Sequence, residues 1–163
     1  MQMRVGRSAL VWLSLSVLVI ALDQLTKALV LHTLQPQVQN AVIPGLLNWT
    51  LAFNTGAAFS FLADQEGWQR WLFTALAIFV SGVLVRWLSH TPRGDWRTAL
   101  PLGLVIGGAI GNLIDRIRFG HVVDFIQVYH QQWFFPAFNV ADSAISVGAV
   151  LLVWFGLFAR ERA

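Results

Sequence analysis

The chain has 163 residues, of which 56% are hydrophobic and only 12% charged, with a mean hydropathy of +0.63. A soluble domain carries about 25% charged residues, so a globule of this size lacks the charge to cover its surface, and the composition describes an integral membrane protein with one domain, residues 1–163. Cysteine is absent, which excludes disulfides, zinc–thiolate sites, iron–sulfur clusters and cysteine nucleophiles, and with a net charge of only +3 the placement of the basic residues says more than their sum.

Four apolar runs, at about 8–31, 71–88, 98–117 and 138–158, are long enough to cross a bilayer, which takes about 20 helical residues. Helices are required, because every backbone N–H needs an internal partner in lipid. The first run has the basic start of a signal peptide, but no small-x-small cleavage site follows and the apolar pattern continues past Asp23 to Leu31. It reads as an uncleaved first span. Residues 32–70 do not read as a helix. A polar turn at Gln35–Asn40 precedes short β-prone runs at Ala41–Ile43, Leu46–Phe53 and Ala58–Phe61, punctuated by Pro44–Gly45 and Thr55–Gly56, and Asp64–Gln69 reads as a turn or short surface helix. In the later connection, His121–Tyr129 can add a strand to the same sheet. The expected fold is an all-α membrane protein of four transmembrane helices with a small β-sheet on its outer surface.

Arg4, Arg7, Arg86, Arg93, Arg97, Arg160 and Arg162, seven of the eleven basic residues, fall on one side of these spans. The positive-inside rule makes that side cytoplasmic, with both termini inside and 32–70 and 118–137 outside. Trp49, Trp68, Trp71 and Trp133 suit an interfacial aromatic belt. Residues 44–61 carry enough apolar and aromatic area to cover a site from the aqueous side.

Ionisable groups in spans are costly and mark functional sites, and here they collect at one depth. Asp23 lies about 22 Å into the first span at 1.5 Å per residue, with Lys27 four residues on along the same face. Asn112, Asp115 and Arg116 occupy the last turns of the third span, and Asn139 and Asp142 the first turns of the fourth, with Asp124 just before it. The cytoplasmic halves are almost purely apolar, so a polar pocket forms near the outer leaflet. Asp23 and Lys27 also suit a plain i,i+4 ion pair closing a helix end, and Arg116 either contacts substrate or snorkels to lipid phosphate. Gly103, Gly107 and Gly111 recur at four-residue spacing and allow a helix to approach; Gly108 beside them can admit ligand backbone. Asp124 sits in an apolar stretch, and Asp142 has no basic residue within ten positions on either side. Two carboxylates with little water and no local cation cannot both ionise cheaply, so they share a proton, as in an aspartic peptidase. The bland alternative is two unrelated caps, with Asp142 at a helix N-terminus. No zinc-protease motif, nucleophile elbow or phosphate loop is present, and there is no basic aromatic surface for nucleic acid. No metal or other cofactor is expected.

These residues resemble the lipoprotein signal peptidase (signal peptidase II) family in five blocks: Asp23-Gln24-x-x-Lys27, Asn54-Thr55-Gly56-Ala57-Ala58-Phe59, Gly107 through Arg116, Val122-Val123-Asp124-Phe125, and Phe138-Asn139-Val140-Ala141-Asp142-Ser143. The resemblance implies a bacterial inner-membrane aspartic endopeptidase, active as a monomer, that cuts diacylglyceryl-modified prolipoproteins just before the lipidated cysteine. It implies Asp124 and Asp142 as the catalytic pair. Asn54, Asn112, Arg116 and Asn139 then surround the substrate or the pair, and Asp23, Lys27, Asp115 and Gly108 support them. It further implies a β-cradle on the outer surface, contact with membrane lipid, and inhibition by globomycin. The competing function is a proton-coupled transporter using Asp23, Asp124 and Asp142 as a relay; it requires ionisable groups on both sides of the midplane, and the sequence places them on one.

Overall fold

A computed structural model describes residues 8–56 and 68–158 of the chain. A 3₁₀ segment, Ala9–Trp12, leads into α1 (Leu13–Thr33); β1 (Asn40–Ile43) and β2 (Leu47–Asn54) follow, then α2 (Trp68–His90) and α3 (Trp96–Phe119), β3 (Val122–His130), β4 (Trp133–Phe134) and α4 (Val140–Phe158). The segments Ala9–Thr33, Arg70–His90, Trp96–Phe119 and Val140–Phe158 are long and apolar enough to cross a membrane. The expected run Ala58–Phe61, most of Asp64–Gln69, and Arg4, Arg7, Arg160 and Arg162 lie outside the described residues.

α3 is the central helix, packed on α1, α2 and α4. Its glycines explain how. A Cβ on Gly103 would meet Trp12 O at 3.1 Å, one on Gly107 would meet Val19 Cβ at 2.8 Å, and one on Gly111 would meet Asp23 Oδ2 at 2.7 Å. The stripe therefore lies against α1, where Ser16 Oγ also donates to Gly103 O at 2.7 Å. Without water to expel between helices in lipid, such close approach and interhelical hydrogen bonds supply the association energy. Gly108 points to α4: a Cβ there would collide with Ala141 O and Ile145. The position offered to a ligand by sequence is thus filled by a helix. Gly148 returns the contact from α4, with Pro101 O 2.9 Å from its ideal Cβ.

α3 begins with Asp95 accepting from Thr98 N at 3.2 Å, an N-cap. It ends at Gly120, whose φ of 81° and bond to Arg116 O make a left-handed C-cap that favours glycine. At this end the chain turns directly into the sheet, which is antiparallel in the order β1-β2-β3-β4. Gly45, at φ 81°, turns β1 into β2. The short β4 has no counterpart among the expected runs. Leu51, Val123 and Phe125 pack the sheet onto Val30 of α1, so the sheet sits on one end of the bundle.

Register decides which side chains meet. Trp49 pairs with Ile126 but Ala52 with Asp124, three steps along β2 against two along β3. That one extra residue is a bulge, and because side chains alternate with period 2, it exchanges the faces of everything beyond it. Asn54, which an unbroken ladder would put on the opposite face from Asp124, comes onto the same face.

Candidate active site

The sheet-bearing end holds Asp124 on β3, Asp142 in the first turn of α4, Asn112, Asp115 and Arg116 on the last turns of α3, Asp23 and Lys27 on α1, and Asn54 on β2. Asp23, Lys27, Asn112, Asp115, Asp124 and Asn139 are all buried, and buried polar groups are tolerated only when paired.

The pairing runs through two hubs. The first is Lys27. Its Nζ lies 2.8 Å from Asp23 Oδ2 and 2.8 Å from Asp115 Oδ2, and it donates to Asn112 Oδ1 at 2.9 Å. Three acceptors match an ammonium's three donors. The Asp23–Lys27 pair is therefore no helix-end ornament; it ties α1 to α3. Gln24 completes the group by donating to Asp115 Oδ1 at 2.9 Å and to Gly111 O at 3.2 Å. Gln24 has no assigned role in the Asp23-Gln24-x-x-Lys27 block, yet an amide beside Asp23 inside an apolar span is a usable signal for one.

The second hub is Asn139, the residue before α4. Its Nδ2 donates to Asp124 Oδ1 at 2.7 Å, Asn112 Oδ1 at 3.1 Å and Val123 O at 3.2 Å. Its Oδ1 accepts from Asp142 N at 2.9 Å, while its backbone N donates to Asp142 Oδ2 at 3.3 Å. This reciprocal arrangement is a capping box with Asp at N3. The capping reading of Asp142 is thus correct, and it does not compete with the paired reading, since the same asparagine reaches the other carboxylate. Asn112 Nδ2 donates to Asp142 Oδ1 at 2.7 Å and Asn54 Nδ2 to Asp124 Oδ2 at 3.1 Å. All four oxygens of the two carboxylates accept a hydrogen bond.

Burial pushes the Asp124 carboxyl up from 3.8 to about 7, the charge of Asp142 pushes the same way, and the bonds from Asn54 and Asn139 oppose both. A carboxyl that titrates near neutrality beside a second carboxylate can exchange one proton with it. Arg116 is half-buried, its guanidinium 5.5 Å over the Phe73 ring, with a long bond to Asn112 O at 3.5 Å. Among the described residues it forms no ion pair, though its charge is felt by Asp142 and Asp124.

Each carboxylate opens onto its own hollow. Asp124 borders a cleft of about 260 Å³ with Ala52, Asn54, Thr55 and Pro136. Asp142 borders a mostly apolar groove of about 460 Å³ with Phe135, Phe138, Ser146 and Val147. The segment 135–138 lies between the two. No group of three His, Asp or Glu side chains suited to hold a metal occurs among the described residues.

The family model described as signal peptidase (SPase) II matches residues 15–158. The chain is 57% identical over 162 residues to a lipoprotein signal peptidase of Xanthomonas campestris pv. campestris, covering 99% of this chain and 97% of that protein. It is 59% identical over 161 residues to one from Xanthomonas euvesicatoria pv. vesicatoria, covering 99% and 94%. Its fold is similar to a bacterial membrane enzyme solved in meso, with a TM-score of 0.81 at 29% identity over 97% of this chain and 95% of the other.

Proposed function

The chain belongs to the signal peptidase II family, and from that premise we propose that Asp124 and Asp142 are the pair that cleaves its prolipoprotein substrate. The protein is a membrane-embedded peptidase of the aspartic type that processes lipoprotein precursors. A peptidase of this family leaves no place for the transporter reading, and the buried ionisable residues, Asp23, Lys27, Asp115 and Asp124, gather at one end of the bundle in agreement.

The observation that carries the assignment is the Asn139 bridge, which touches both carboxylates while both border open hollows. One carboxylate takes a proton from water as the water attacks the scissile carbonyl. The other gives its proton to the carbonyl oxygen; on collapse the first carboxylate passes the proton it took to the leaving amine, and the second recovers its own as the carbonyl reforms. Asn54, Asn112 and Asn139 hold the pair in place. Arg116, anchored by Phe73 and otherwise available, offers donors to substrate carbonyl groups.

The substrate is membrane-bound, so it enters sideways. α2 packs chiefly on α3, which leaves the space between α2 and α4 for a signal-peptide helix. The scissile bond precedes a diacylglyceryl cysteine, whose acyl chains stay in lipid against apolar faces such as the groove at Phe138 and Val147. The enzyme sits in the inner membrane as a monomer, with this end at the outer leaflet, where exposed Trp49, Trp71 and Trp133 suit the headgroup layer. Globomycin would occupy the cleft in competition with substrate.

A gel-shift assay on a lipidated prolipoprotein in nanodiscs tests the proposal. Asp124→Asn and Asp142→Asn should each leave the precursor uncleaved while wild type converts it. Cleavage by either variant at a rate near wild type would overturn the assignment.

A further inference from the structure

The two carboxylates differ in what stands behind their donors. Asn112 is gripped on one side by Lys27, which can only donate. Its oxygen must therefore face Nζ, at 2.9 Å, and its Nδ2 must face Asp142 Oδ1, at 2.7 Å. The amide cannot flip without setting an N–H against an ammonium. Asp142 also sits at the N-terminus of α4, where the first-turn N–H groups and the helix dipole favour negative charge, and its Oδ2 accepts from Asn139 N. Asp124 sits in mid-strand and takes its bond from the start of α4 through the Asn139 side chain, not from a backbone N–H of the helix end. One of its two donors, Asn139 Nδ2, is divided among three acceptors; the other, Asn54 Nδ2, stands at 3.1 Å.

The same Lys27 hub also fixes the backbone on each side. Asp23 Oδ1 accepts from Ala141 N at 2.9 Å, one residue before Asp142. Asp115 Oδ2 accepts from Val123 N at 3.1 Å, one residue before Asp124. The ammonium thus reaches the backbone beside each catalytic carboxylate through one other carboxylate, but it reaches a carboxylate oxygen through a single side chain, Asn112, at Asp142, and at Asp124 through Asn139 as well.

We propose that Lys27 is a positioning residue that, acting through Asn112, keeps Asp142 the ionised member of the pair, so that Asp142 is the base that activates water and Asp124 the acid that protonates the scissile carbonyl oxygen. This rests on the paired-carboxylate reading above. In the attack, a water O–H bond breaks, its proton passes to Asp142, the oxygen bonds to the carbonyl carbon, and the Asp124 proton goes to the carbonyl oxygen. On collapse, the proton held by Asp142 goes to the leaving amine, and the proton on the intermediate's oxygen returns to Asp124 as the carbonyl reforms. The charged groups facing the pair are Lys27 and Asp23 from α1 and Asp115 and Arg116 from α3.

The test is the pH profile of kcat/KM for the full-length enzyme in nanodiscs, with a lipidated prolipoprotein as substrate. The acidic limb reports the first proton lost from the pair and the alkaline limb the second. Lys27→Gln removes the charge yet keeps a donor, and should move the acidic limb up by about one pH unit with the alkaline limb nearly still. Asn54→Ala removes a donor to Asp124 and should move the alkaline limb up instead. The reverse pattern, or a Lys27→Gln profile with both limbs unmoved, overturns the proposal. If Lys27→Gln does not fold, Lys27→Arg, which keeps the charge, and Asn112→Ser, which breaks the link from Lys27 to Asp142, are compared: an acidic limb that rises in Asn112→Ser and holds in Lys27→Arg supports the relay, and one that stays still in Asn112→Ser overturns it. Activity in Asp124→Asn or Asp142→Asn would instead defeat the underlying pair, an outcome separate from either limb.

Discussion

The two ends of this helix bundle are held together in different ways. At the far end, Ala9, Leu88, Ala99, Leu102 and Ile106 are completely buried in one apolar cluster, and the chain is closed by a backbone bond from Ala9 N to Thr91 O at 2.9 Å. At the sheet-bearing end, the same helix α3 contributes Asn112 and Asp115 to a network of ion pairs and amide bonds. Apolar contacts are non-directional, so the far end fixes how close the helices stand and little else. Hydrogen bonds specify which atom faces which, so the polar end fixes the orientation of individual oxygens, as catalysis requires. The lesson is one of separation: the end that supplies shape carries no chemistry, and substitutions at the two ends should fail differently.

The largest expected effect is at the polar end. Asp124→Asn and Asp142→Asn should each lower the cleavage rate by at least ~10²–10⁴-fold while thermal unfolding in detergent stays cooperative, and a chelator should leave wild-type activity unchanged. Full inhibition by EDTA would point to a metal mechanism. Next, Lys27→Met leaves Asp23 and Asp115 as buried carboxylates without their ammonium, whose side chain is 3% exposed. Breaking a buried ion pair costs roughly 3–5 kcal/mol, and this should appear as a large drop in Tm together with lost activity. A Tm that barely moves would show that this network does not fasten α1 to α3.

At the apolar end the loss should be of stability alone. Leu102→Ala opens a cavity and costs roughly 2–5 kcal/mol, with kcat per folded molecule unchanged; a fall in kcat without a fall in Tm would erase the distinction between the ends. A smaller difference depends on pH. Asp124 keeps its proton up to about 7 against 3.8 when unfolded. The folded state therefore binds that proton more tightly, and the stability it contributes is present at low pH and is lost as pH rises from 3.8 through about 7. The Tm of Asp124→Asn should accordingly fall less than that of wild type across this window, which two thermal scans in matched buffers would establish. Parallel curves would place the buried proton on another group. Smallest is Ser16→Ala, which removes the bond to Gly103 O from the α1–α3 contact. Interhelical hydrogen bonds in membranes average about 0.6 kcal/mol, so a Tm shift of a degree or two with unchanged activity is expected.

The amino-acid sequence by itself determined the four helices and three of the four strands. Twenty-residue apolar runs admit only spanning helices, and β-prone segments broken by Pro44–Gly45 marked the strands. The i,i+4 spacing of Asp23 and Lys27 announced their 2.8 Å contact, and the polar residues were all legible as one depth. These are local properties, written in hydropathy and period. Partner choice was not local. Asp115 reaches Lys27 only because the glycines of α3 bring α1 close. Gln24 gains its role only once Asp115 stands opposite it. Asn139 serves as helix cap and as donor to Asp124 at the same time, and no spacing in the sequence foretells that the start of α4 and the middle of β3 meet. Asn54 faces Asp124 because one extra residue in β2 exchanges the faces of the strand. Hydrogen bonds act over about 3 Å, and which groups come within that reach is settled by how helices cross and strands register, which is the work of the tertiary structure.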